Sequence, residues 1–158
     1  MERFNRILQD GAFREHVAWI EERERTRIFC RHDLTHFLDV ARIAYILSLE
    51  EELKVGKELI YTAGILHDLG RWVEYDTGAD HAVESRRIAQ GFLERHGYGR
   101  EEQDIILSAI GNHRNRYAER PFDDVFYRAD KLSRPCITCP ARPQCRKFQN
   151  GEIPLLRY

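Results

Sequence analysis

The sequence predicts an all-α protein. Apolar residues recur at spacings of three and four along almost the whole chain, and no stretch alternates apolar and polar residues as a half-buried strand would. Caps and breakers at Gly70, Thr77-Gly78, Asp80 and Gly97 divide the periodic stretches into segments of helical length. Taken in order, 4–24 reads as one amphipathic helix or a helix pair, with Gly11 as its weak point. Leu34, Phe37, Leu38, Ala41, Tyr45 and Leu49 mark a second helix of about five turns. A third covers 57–69 and stops at Gly70. Residues 71–80, RWVEYDTGAD, read as a loop. Asp80 is the expected N-cap of a fourth helix, closed by Gly97. Glu101 and Glu102 sit in the first turn of a fifth, 101–115, where acids oppose the positive helix end. A sixth runs over 122–132. After it the chain changes character: residues 135–148, PCITCPARPQCRKF, hold three of the five prolines and three of the four cysteines. The expected organisation is a helical domain over 1–134 with an irregular cysteine-containing tail, 135–158, packed on it.

Bulk properties narrow the function. A chain of 158 residues suits one domain with one core, and 42% hydrophobic with 32% charged residues is an ordinary globular balance. Lys plus Arg number 25 against 26 Asp plus Glu, a net charge of -1, which argues against nucleic acid as the main partner. No apolar run approaches the roughly 20 residues of a membrane span. The charged, periodic N-terminus does not resemble a signal peptide, so a cytoplasmic protein with no membrane partner is expected. In a reducing compartment its cysteines serve as metal ligands or plain thiols rather than disulfides. Composition leaves a homo-oligomer open.

The informative residues are polar ones that interrupt apolar faces. His36 aligns with Val40, Ile43 and Leu47. His67 aligns with Ile60 and Ala63, His81 with Ser85, Ile88 and Phe92, His113 with Ile106 and Ala109, and Asp130 with Phe122 and Phe126. Asp68 adds a sixth group beside His67, in the stretch AGILHDLGRW. One histidine on an apolar face is usually a hydrogen-bonded core residue. Six such groups, with few buried cations to answer them, call for a divalent metal. Adjacent helical residues point about 100° apart, so His67 and Asp68 can share an ion only at a helix end, which Gly70 provides. Imidazole with carboxylate suits Fe, Mn, Co or Mg better than a closed structural zinc site, and six ligands are best explained by two ions bridged by Asp68.

The order His36 … His67-Asp68 … His81 … His113 … Asp130 resembles the HD-domain superfamily of metal-dependent phosphohydrolases. The surrounding segments HFLDVARIA, AGILHDLGR, HAVESRRIA, SAIGNHR and FYRADKLSR are similar too, and the resemblance covers residues 30–134. It implies an HD-type helical bundle and a metal held by His36, His67, Asp68 and Asp130. In two-metal members, histidines at the places of His81 and His113 bind the second ion while the central aspartate bridges. Both positions are histidine here, so two ions are expected.

Around these ligands, Lys131, Arg71 and Arg114 are candidates to meet a phosphate or oxyanion, or else are solvated surface cations. Glu84, three residues after His81, could orient a ligand or act as general acid/base, or could be an exposed helix carboxylate. His32 reads as a helix-start residue, and His16 and His96 as surface residues. Cys136-x2-Cys139-x5-Cys145 is three-quarters of a four-thiolate site. Cys30, six residues before His36, would complete it with zinc or an iron–sulfur cluster and pin the tail to the second helix.

The expected function is hydrolysis of a phosphomonoester or nucleotide-type small molecule by a metal-activated water, with Asp68, Lys131 and Glu84 as catalytic candidates. Two alternatives remain: an HD-type diiron oxygenase that cleaves a C–C or C–P bond at the same six ligands, and a catalytically weak ligand-binding regulatory module.

Overall fold

A computed structural model describes all 158 residues and shows eight α-helices and no strand. They are α1 (Glu2–Gln9), α2 (Gly11–Arg23), α3 (Leu34–Glu50), α4 (Lys57–Leu66), α5 (Arg71–Thr77), α6 (His81–Arg95), α7 (Arg100–Asn112) and α8 (Pro121–Leu132). Two single-turn 3-10 helices, Arg142–Gln144 and Arg146–Phe148, follow in the tail. None of the helices is long and apolar enough to cross a membrane.

The N-terminal segment is a helix pair, and its break falls at Asp10 rather than Gly11. Asp10 adopts an extended backbone, and its carboxylate accepts the Ala12 N–H at 2.9 Å, ending α1 and capping α2 with one residue. Asp80 caps α6 in the same way through the Ala82 N–H at 2.7 Å.

Residues 71–80 are not all loop. Arg71–Thr77 is the short helix α5, and only Gly78, with φ of 79°, turns the chain out of it. Its side chains find partners across on α2: Trp72 Nε1–H donates to His16 Nδ1 at 2.9 Å, and Arg23 grips the Asp76 carboxylate. Seven residues do not hold a helix alone in water, so packing on α2 supplies what periodicity does not announce. His16 and His96 are accordingly not free surface residues. His16 packs edge-on against Trp19 and tilted against Trp72, and His96 pairs with Asp10 at 3.1 Å.

The core is continuous across the bundle, with Phe37, Val40, Ile60, Ile65, Leu66, Phe92, Ile106, Ile110, Val125 and Phe126 all buried. The helix α3 packs chiefly on α4 and α8, and α7 on α6, α8 and α4. The α3–α4 crossing is close because Gly64 lies on Ala41. A Cβ at Gly64 would stand 2.6 Å from the Ala41 Cβ and 3.0 Å from its Cα. That approach brings the His36 and His67 rings to 5.4 Å between centroids.

The N-terminus is tied down by charge. Glu58 meets the N-terminal amine at 3.0 Å and the Arg3 guanidinium at 2.9 Å. Burial pushes the Glu58 carboxyl up, but hydrogen bonds from the amine and Arg3 outweigh it and hold it at about 2, below its ordinary 4.5. A depressed carboxylate stabilises fully above pH 4.5 and loses that contribution as pH falls through about 2. The Tm gap between wild type and Glu58→Gln should therefore close over that window. A gap that stays constant with pH would contradict the pairing.

Candidate metal centre

Helix ends build the site. The α4 helix stops at Leu66, three residues earlier than its apolar run suggests. The chain then tightens into turns that put His67 and Asp68 at the C-terminal end. His36 comes from the first turn of α3, His81 from the first residue of α6, His113 from the C-cap of α7 and Asp130 from the last turn of α8. All six are buried.

The two oxygens of Asp68 face different neighbours. Oδ1 lies 3.3 Å from His81 Nε2, 3.4 Å from His113 Nε2 and 3.2 Å from Arg71 Nε. Oδ2 lies 3.4 Å from His67 Nε2 and 3.8 Å from both His36 Nε2 and His32 Nε2. Asp130 Oδ1 stands 3.5 Å from His36 Nε2. The cluster thus has two lobes that share Asp68. One contains His36, His67 and Asp130, the other His81 and His113.

The outer nitrogens fix how each ring presents itself. His67 Nδ1 is 2.7 Å from the Gly64 carbonyl and His113 Nδ1 is 2.6 Å from the Ile110 carbonyl. A carbonyl only accepts, so both Nδ1 atoms carry a proton and the Nε2 atoms, the ones left to meet a metal, point inward. His81 Nδ1 likewise donates to the Glu74 carboxylate at 2.8 Å. Consequently His81 Nε2 and His113 Nε2 face each other at 3.1 Å with lone pairs toward one another. Such a contact is favourable only with positive charge between the two atoms.

Buried His36 Nε2, His67 Nε2 and Asp68 Oδ1 have no aligned hydrogen-bond partner either. Orphaned acceptors aimed at a common interior, each ring oriented from behind by an oxygen, form the donor set of a divalent cation. The residues present therefore fit a metal.

Electrostatics agree at His36 and His81, whereas at His67 burial is outweighed by the adjoining Asp68 carboxylate, which draws that ring upward. Burial pushes His36 down to about 3 and His81 to about 4, so both rings are neutral and free to ligate at ordinary pH. Burial would raise the Asp68 carboxyl, but His67 and Arg71 hold it well below the usual carboxylate range. Asp130 is held down against its burial by Arg134 and Lys131.

The other sequence candidates fall in different places. Lys131 pairs with Asp130 at the rim of the cluster. Arg71 is half-buried between Asp68 and Glu74, where it balances charge. Arg114 is exposed and reaches Asp80 at 3.0 Å. Glu84 is not brought to the cluster: its carboxylate turns outward to Arg87 at 2.8 Å.

Three neighbours of the cluster were not among those candidates. Glu74, in the stretch read as loop, takes the position behind His81. Arg134 meets Asp130 at 3.3 Å. His32 is buried, its Nδ1 at 2.5 Å from buried Glu24, which also accepts from Tyr75. Burial would push the Glu24 carboxyl up, yet His32 and Tyr75 hold it at about 2. Spacing did hint at His32, four residues before His36 on the same side, but Glu24 and Glu74 carry no local signal. Replacing Glu74 by Gln removes the carboxylate that orients His81, so divalent-metal affinity should fall about 10- to 100-fold in a calorimetric titration. Unchanged affinity would mean that Glu74 does not orient a ligand.

Beside His36 opens a cavity of about 810 Å³, lined by arginines and by Cys30, Cys136 and Cys139.

Comparison with known proteins bears on this geometry. A family model described as HD domain matches residues 33–135. An uncharacterized protein of Clostridium beijerinckii is 44% identical over 92% of each chain. A ribonuclease Y of Desulfotalea psychrophila is 33% identical over 87% of this chain but only 24% of its own, so this chain spans about a quarter of that relative. A crystal structure of a predicted HD superfamily hydrolase from an uncultured Thermotogales bacterium superposes with a TM-score of 0.61, covering 89% of this chain and 78% of that one at 23% identity, a likeness of fold.

Proposed function

This chain belongs to the HD domain family, and from that premise we propose that it is a metal-dependent phosphohydrolase acting on a phosphomonoester or nucleotide-type small molecule. The observation that carries the reading is the division of Asp68, one oxygen toward His36 and His67 and the other toward His81 and His113. A carboxylate so divided suits two ions, one held by His36, His67, Asp130 and Asp68, the other by His81, His113 and Asp68. Divalent ions held there supply Lewis acidity toward a phosphoryl oxygen and lower the pKa of water toward neutrality. The chain's own contribution is orientation and charge. The Gly64 and Ile110 carbonyls and Glu74 fix three rings, while Arg71 offsets the buried Asp68 charge. Lys131 and Arg134, on the outward oxygen of Asp130, are the cations within reach of an incoming phosphate.

A small substrate is favoured over RNA because the net charge is -1. The test is phosphate release from a panel of phosphomonoesters, nucleotides, cyclic nucleotides and a short RNA, with Mn, Co or Mg added to metal-stripped protein. Metal-dependent release from a small phosphate ester that EDTA abolishes is the expected result. No release under any metal loading would overturn the hydrolase reading, and cleavage of RNA alone would overturn the small-molecule part.

A further inference from the structure

We propose that Cys30, Cys136, Cys139 and Cys145 hold an iron–sulfur cluster that fastens the C-terminal tail to the start of α3, a metal site separate from the histidine and aspartate centre. The tail needs a fastening that its composition does not supply. Ala141 is its one buried residue, while Ile137, Ile153, Leu155 and Leu156 are exposed. Its backbone nevertheless folds into a chain of i→i+3 turns: Cys139 N–H to Cys136 O, Arg142 to Cys139, Cys145 to Arg142 and Phe148 to Cys145. Cys139 and Cys145 fall at the joints between successive turns, Cys145 with an extended backbone (φ -81°, ψ 124°) between the two 3-10 helices.

The fourth thiol comes from far away in sequence. Cys30 precedes α3 and lines the 810 Å³ cavity together with Cys136 and Cys139, and Cys145 follows Gln144 of the same wall. All four are half-buried free thiols. Four thiolates bring strong negative charge, and Arg25, Arg27, Arg31 and Arg134 line the cavity they share.

Spacing distinguishes a cluster from a single ion. Tetrahedral zinc with bonds of about 2.3 Å holds its sulfurs about 3.8 Å apart. No three of these sulfurs come within 4.8 Å of one another. A polynuclear cluster spreads its thiolates farther apart than a single ion does.

Acid-labile sulfide decides the question, because the histidine and aspartate centre contains none. Wild-type protein purified without oxygen, or offered ferrous iron and sulfide, should carry about one sulfide per cluster iron. It should also show broad visible absorption that dithionite bleaches. In Cys136→Ser/Cys139→Ser the sulfide should fall to background. Wild type that binds zinc in place of iron, or takes up no sulfide, overturns the proposal, as does a double variant that keeps the wild-type sulfide. Should the double variant not fold, the wild-type measurement alone still decides. Phosphate release is read separately, so failure of either proposal leaves the other standing.

Discussion

Asp68→Ala should lose bound metal and turnover together, with turnover on the best phosphate ester falling by about three orders of magnitude, ~4 kcal/mol of transition-state stabilisation. Each Asp68 oxygen serves a different lobe of the cluster, so one truncation strips a ligand from both. It also leaves the half-buried Arg71 guanidinium and the inward Nε2 atoms of four histidines without their shared counter-group. Breaking a buried ion pair from one side costs about 3–5 kcal/mol, so the metal-free variant should also melt earlier. Asp68→Asn separates the two effects, since it keeps the shape and removes the charge. Elemental analysis beside turnover is the measurement. A folded Asp68→Asn or Asp68→Ala protein with wild-type metal content and full activity would refute the ligand assignment.

Gly70→Ala should be almost as damaging, although Gly70 is not itself a candidate ligand. A Cβ there would stand 2.5 Å from the Ser85 backbone nitrogen, 2.7 Å from the His81 carbonyl oxygen and 2.8 Å from the Glu84 Cβ. Two of these are backbone atoms of the first turns of α6, which cannot swing aside as a long side chain would. The Gly70 N–H also donates to Ser85 Oγ at 2.8 Å, holding the turn after Asp68 against α6. Making room means moving α6, and His81 is its first residue. Overpacking of this kind costs about 1–3 kcal/mol. The expected result is a lower Tm together with weaker metal binding at the lobe proposed to hold an ion through His81 and His113, seen as a reduced metal stoichiometry. A variant with wild-type Tm and metal content would show that the turn and α6 are not packed as described. Gly91→Ala, with nothing within 4 Å of the added carbon, serves as the control.

The reach of sequence reasoning differed from one residue to the next. His36, His67, His81, His113 and Asp130 were visible because each breaks an apolar helical face, and a break is a local signal. Glu84 and Glu74 are the instructive pair. Glu84 is three residues from His81 on its own helix, which favours it by spacing alone. Yet the carboxylate behind His81 is Glu74, seven residues back on a helix that the sequence reads as loop. Distance along the chain ranks neighbours within one helix and says nothing about what lies across a turn. Glu24 was missed for the same reason. It closes α2 as one of several charged residues there, and only the return of the chain through His32 makes it a buried partner.

By itself the sequence determined the all-α class, the apolar face of each main helix and the five chain segments that carry imidazole or carboxylate inward. These follow from a period of 3.6 residues, which any helix must obey wherever it is placed. Tertiary structure alone decided the rest: that α5 is helical, that Arg71 answers Asp68 from inside, and that the two Asp68 oxygens part between two sets of rings. Those outcomes depend on how closely helices approach, as at Gly64 on Ala41 and Gly70 on Ser85, and on which charge must be balanced once water is gone.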